Sequence, residues 1–129
     1  LYQEDDIKVY SRGLVVLFGE PINPKAEVVL KKHDLELSNH ISKGLKESEI
    51  DENTLLLTMT EDQKRKIQQD YPNAKNVYSI KEYAGEMGDV VDPYGGTLLE
   101  YEECFGELAR LVKKTVYKLN EDNTKESQL

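Results

Sequence analysis

Cysteine is nearly absent: Cys104 is the only one in 129 residues. An internal disulfide is therefore impossible, which suits a reducing cytosol. Zinc held by a cysteine cluster is excluded, and the two histidines, His33 and His40, share no metal-ligand spacing. No metal and no cofactor is implied. Long apolar runs are missing too. Nothing approaches the roughly 18 consecutive apolar residues that a membrane span needs. Positive charge is in deficit, with 17 Lys and Arg against 25 Asp and Glu, giving a net charge of −8. A nucleic acid or an anionic membrane surface is thus not an expected partner. A local pocket of backbone amides and one Arg can still hold a phosphate, so a phosphoester substrate stays open. Residues Leu1 to Lys8 are polar and acidic. They lack the basic start and apolar run of a signal peptide, and a cytoplasmic location is expected.

What is present suits one soluble domain. The apolar fraction is 38% and the charged fraction 33%, which fits neither a disordered nor a membrane chain. The domain is expected to span residues 1–119, with 120–129 as a polar tail that frays.

Ile7-Lys8-Val9-Tyr10-Ser11 alternates and ends at Gly13, the pattern of a strand. Leu14 to Phe18 is apolar and undecided between strand and loop. Asn23-Pro24 reads as an N-cap followed by Pro at the first helical position. Ser42 is expected to open a second helix, with Leu45 and Ile50 as its apolar contacts. Thr54 to Met59 is the continuous apolar run of a strand in a parallel sheet. Thr60 and Gln63 form a capping box for a helix that Pro72 stops near Tyr71. Asn76 to Ile80 reads as the next strand, and Ser79 with Glu82 as another box. Thr97 and Glu100 open a long helix whose apolar stripe is Leu98, Tyr101, Phe105, Leu108, Val112 and Val116. Alternating strands and helices imply an α/β fold with a mostly parallel sheet covered on both sides. Ligand sites in such sheets lie off the carboxyl ends of the strands. Ser11, Met59 and the loop after Ile80 belong to that edge.

The loop Gly88-Asp89-Val90-Val91-Asp92-Pro93-Tyr94-Gly95-Gly96 is the segment richest in chemistry. Pro93 fixes its own φ and biases Asp92 toward extended backbone. A carboxyl beside two valines has its charged form disfavoured, which suits a protonated general acid. Tyr94 offers a flat pocket wall. On spacing alone, an ordinary Asp-Pro turn with an aromatic anchor is the leading account.

Several matches change that balance. Ser11-Arg12-Gly13, the Pro24/Ala26 helix start, Ser38-Asn39-His40, Leu57-Thr58-Met59-Thr60, Lys81-Glu82-Tyr83 and the Gly88 to Gly96 loop occur in one order and spacing. From about Ile7 to Leu119 the chain resembles the low-molecular-weight protein-tyrosine-phosphatase family. The loop is most similar to the bacterial branch, which includes protein-arginine phosphatases. The resemblance implies a three-layer α/β/α fold with a mostly parallel four-stranded sheet. It implies hydrolysis of a phosphoprotein or phosphopeptide, with inorganic phosphate as product. The thiolate of a Cys-x5-Arg loop attacks phosphorus, forming a cysteinyl-phosphate. By resemblance Asp92 is the general acid and base, Tyr94 flanks the substrate pocket, and Ser11 and His40 brace the phosphate loop.

The first strand and the phosphate loop have no match in this chain, so the chain alone is expected to be inactive. The neighbouring strands are expected to carry unpaired backbone groups. Cys104 and Arg110 stand at the required interval, but inside the long helix, whose amides are already engaged. Cys104 therefore reads as a small, partly buried core residue. His33 reads as a surface residue, Asp89 as an aid to loop closure, and Leu17-Phe18 as either pocket mouth or core. Two other functions stay open. One is a catalytically dead remnant that binds a partner. The other is the related arsenate reductase, whose disulfide relay needs cysteines this chain does not carry.

Overall fold

The computed structural model describes residues 8–14, 23–35 and 41–127. His40, Ile7 and Leu17-Phe18 lie outside them. Within the described residues the order is α1 (Pro24–Lys32), a 3-10 turn (Glu47–Glu49), β1 (Leu55–Thr58), α2 (Glu61–Asp70), β2 (Asn76–Ser79), α3 (Ile80–Tyr83) and α4 (Leu98–Ser127).

The helix starts follow from capping chemistry. Asn23 Oδ1 accepts from the Lys25 amide at 2.9 Å, with Pro24 at the first helical position. Thr60 Oγ1 accepts from Gln63 N, and Gln63 Oε1 accepts from Thr60 N and Met59 N. Ser79 and Glu82 repeat the device for α3, as do Thr97 and Glu100 for α4. Tyr71 closes α2 just before Pro72.

β1 and β2 pair in parallel, Leu55 beside Asn76 through Thr58 beside Ser79. The two strands end level. α2 and α3 leave from that shared carboxyl edge. α2 packs on both strands, α1 packs on α4, and α3 touches the strands and α4. Ile80, Val90 and Leu111 form the buried centre, flanked by Met59, Ala84, Cys104, Leu108 and Val112. One residue from α3, one from the loop and one from α4 thus meet over the strand ends.

Four expectations are corrected. Residues 8–12 form no strand; Gly13 alone bridges to Gly44. A strand needs a ladder partner, and of residues 8–14 only Gly13 finds one. The sheet therefore has two strands there instead of three. No helix opens at Ser42, because the Lys43 carbonyl and the Leu45 amide are spent on Gly13. Only Glu47–Glu49 turns, and Ile50, buried just after it, fills the expected apolar role. The last helix continues to Ser127, through most of the expected tail. Its most buried positions are Leu111 and Thr115, beside the expected stripe, and Leu98 is largely exposed.

Candidate active site

The Asp-Pro loop is positioned from its first residues. Gly88 has φ +100°, a conformation open to glycine, and turns the chain toward the strands. Asp89 Oδ1 then accepts from the Glu61 amide at 2.9 Å. The Val90 amide donates to the Met59 carbonyl at 2.9 Å. The Val90 side chain is 1% exposed, in the centre of the core. The loop, which follows α3, is therefore tethered beside the carboxyl end of β1, where ligand sites of parallel sheets lie.

Asp92 and Tyr94 stand two and four residues beyond that anchor. Asp92 Oδ1 accepts from the Tyr94 amide at 2.9 Å, a local turn that orients the carboxylate. The Gly96 amide donates to the Pro93 carbonyl at 2.7 Å. A Cβ on Gly96 would lie 2.8 Å from that carbonyl oxygen, so only glycine fits the turn. Lys25 Nζ, from α1, donates to the Gly96 carbonyl at 2.5 Å. The loop is held at both ends with its acid between.

The apolar cover expected for Asp92 is not supplied by the described residues. Of the two valines, Val90 turns into the core while Val91 is exposed, and Asp92 is exposed. Tyr94 is 81% exposed, a free wall rather than a packed one. Ser11 is exposed. With Arg12, Gly13, Ser42 and Lys43 it lines an open cavity of about 190 Å³. Neither Asp92 nor Tyr94 lines that cavity. Arg12 donates to the Ser11 carbonyl at 2.7 Å and pairs with Glu49 at 2.7 Å. Its hydrogen bond to Glu49 holds that carboxyl below its ordinary pKa.

Cys104 sits inside α4, half-buried against the core cluster. Burial pushes its thiol pKa up, and the charges of Glu107 and Asp92 add to the rise. A nucleophilic cysteine needs the opposite. No group of three or more His, Cys, Asp or Glu side chains among the described residues is arranged to hold a metal. His33 stacks on Phe105 with ring centroids 4.3 Å apart and meets Glu102 at 2.6 Å. It is a surface residue, as expected, and there joins α1 to α4. Asp89 and Lys25 were not legible as site residues. Their partners lie 28 and 71 residues away, and no local pattern signals such bonds.

The geometry is a parallel α/β unit with an anchored Asp-Pro-Tyr-Gly-Gly loop at its strand ends. The low molecular weight phosphotyrosine protein phosphatase family model matches residues 2–125, and the chain belongs to that family. It is 33% identical over 109 residues to the low molecular weight protein-tyrosine-phosphatase PtpB of Staphylococcus haemolyticus, covering 84% of this chain and 78% of that protein. The YwlE arginine phosphatase from Geobacillus stearothermophilus superposes with a TM-score of 0.86 at 31% identity, over 94% of this chain and 79% of that one. The low molecular weight protein tyrosine phosphatase of T. tengcongensis superposes with a TM-score of 0.80 at 36% identity, over 84% and 76%. No helix among the described residues is long and apolar enough to cross a membrane.

Proposed function

We propose that the protein is a cytoplasmic phosphatase that removes phosphate from phosphotyrosine or phosphoarginine on proteins, with Asp92 as general acid and then general base. The carrying observation is the Val90 amide on the Met59 carbonyl, which holds the Asp92 loop over the strand ends. A general acid must be placed before its pKa matters. Asp92 is placed by a buried anchor two residues upstream and by its own bond to the Tyr94 amide. Tyr94, exposed beside it, offers its ring to the group that carries the phosphate.

The chemistry divides as follows. A thiolate displaces the leaving group from phosphorus and forms a cysteinyl-phosphate, while Asp92 gives its proton to the departing oxygen or nitrogen. Asp92, now ionised, takes a proton from water as that water attacks phosphorus and frees the thiolate. Cys104 is not that thiolate, since its helix and its raised pKa both disfavour it. The 129-residue chain alone is accordingly proposed to be inactive, and the activity to belong to the longest product of its reading frame. Ser11 and His40 are proposed to brace the phosphate loop of that product.

The test is hydrolysis by that longest product of phenyl phosphate, whose leaving group departs poorly without a proton. Asp92→Asn is expected to slow turnover by on the order of 10²–10⁴-fold, the range of a general acid. Cys104→Ser is expected to leave turnover intact. A loss under about tenfold for Asp92→Asn at the optimal pH sinks the assignment of the acid.

A further inference from the structure

We propose that Asp89 is a positioning residue for the Asp92 acid: its carboxylate, seated on the first amide of α2, sets the height at which the loop presents Asp92. The inference rests on the reading of Asp92 given above. It comes from an excess in the hydrogen bonding of α2. That helix is already capped. Thr60 takes the Gln63 amide and Gln63 takes the Thr60 amide, a complete capping box. The first-turn residues Glu61 and Asp62 already suit the positive end of the helix. The Glu61 amide, at the first helical position, is exposed and would otherwise be met by water. Helix stability therefore gains little from a partner brought in from 28 residues away. The loop gains much more.

From Gly88 to Gly96 the chain has no regular structure of its own. The Val90 amide and side chain fix one point of it. The Lys25 bond at Gly96 lies beyond the acid, so with Val90 alone the segment before Asp92 would turn about a single anchor. The bond from Asp89 to Glu61 supplies a second point on the same side of Asp92. Together the two bonds fasten the loop to both residues flanking Thr60, and so to a single rigid junction between β1 and α2. A side chain that must meet a departing atom requires support of this kind, since displacement by about 1 Å can cost about 10²-fold in rate.

A merely structural Asp89 and a positioning Asp89 differ in what they do to leaving groups. The constant kcat/KM covers the steps through departure of the leaving group. A displaced acid harms a poor leaving group more than a good one, because the good one departs with less proton transfer. Asp89→Ala is to be compared with Asp89→Asn in the longest product of the reading frame, with phenyl phosphate and para-nitrophenyl phosphate as substrates. Asp92→Asn is measured beside them. Asp89→Ala is expected to lower kcat/KM for phenyl phosphate by about tenfold or more and for para-nitrophenyl phosphate by under about threefold. Asp89→Asn keeps the Oδ1 acceptor and is expected to restore the wild-type ratio between the substrates. Equal losses on both substrates, no loss with Asp89→Ala, or an Asp89→Asn variant as poor as Asp89→Ala each overturn the proposal. Should Asp89→Ala fail to fold, Asp89→Gln moves the acceptor by one methylene and is read the same way. If Asp92→Asn discriminates between leaving groups and Asp89→Ala does not, only the positioning role falls. If Asp92→Asn does not discriminate, or nothing turns over, the acid reading falls and this inference with it.

Discussion

Lys25 Nζ donates to the Gly96 carbonyl at 2.5 Å, joining the first turn of α1 to the end of the acid loop across 71 residues of sequence. The contact is exposed, so its worth to global stability is small. Its effect is local, on a turn that one backbone bond closes. Lys25→Met is expected to leave the unfolding midpoint nearly unchanged. It is expected to speed hydrogen exchange at the Gly96 amide, which donates within that turn. Unaltered exchange at Gly96 with a lowered midpoint would reverse both halves of this assignment.

Much of the fold was legible because its signals are local. Thr60 with Gln63, Ser79 with Glu82 and Thr97 with Glu100 each close within three residues, and all three boxes form. The runs around Leu55 and Val77 carry the two parallel strands. What was not legible depends on partners far along the chain. The Ser42 segment looked helical by its apolar spacing, but Gly13 claims its neighbours' backbone groups instead. Within the site, Asp92 was conspicuous through Pro93 and the two glycines. The burial of Val90 and exposure of Val91 were not, because alternation through an irregular loop has no fixed period. Thr115 was missed as a buried position since its residue type is polar, although it follows Leu111 by one helical turn.

Leu111 is fully buried, and it is the α4 residue of the cluster that also holds Ile80 and Val90. Truncating it at Cβ removes an isopropyl group and leaves a cavity beside Val90, the anchor of the acid loop. Leu111→Ala is expected to cost about 2–5 kcal/mol, a large part of the roughly 5–15 kcal/mol that holds a domain folded. The denaturant midpoint measures it. Leu108→Ala, at a half-buried neighbour, is expected to cost less. A Leu111→Ala loss below about 1 kcal/mol would show that the cluster is not the centre of the core.

Glu86 ties the segment after α3 to α4. Its carboxylate accepts from Arg110 through two nitrogens, at 2.5 and 3.1 Å, and from Lys114 at 2.7 Å. The Arg110 bond first, and the Lys114 bond second, pull its pKa from 4.5 down to about 2. A carboxyl held below its unfolded value stabilises the folded state above that value, and loses this contribution as pH falls through the folded one. The window therefore runs from 4.5 down to about 2. Glu86→Gln, which cannot ionise, is expected to melt below wild type at about pH 6 and to converge on it by about pH 2. Arg110 and Lys114 are about half exposed and Glu86 a quarter exposed, so added salt is expected to narrow the gap at about pH 6. Thermal unfolding of both proteins across this range measures the convergence. A gap that stays constant with pH would mean that the Glu86 charge contributes nothing to the junction of α3 and α4.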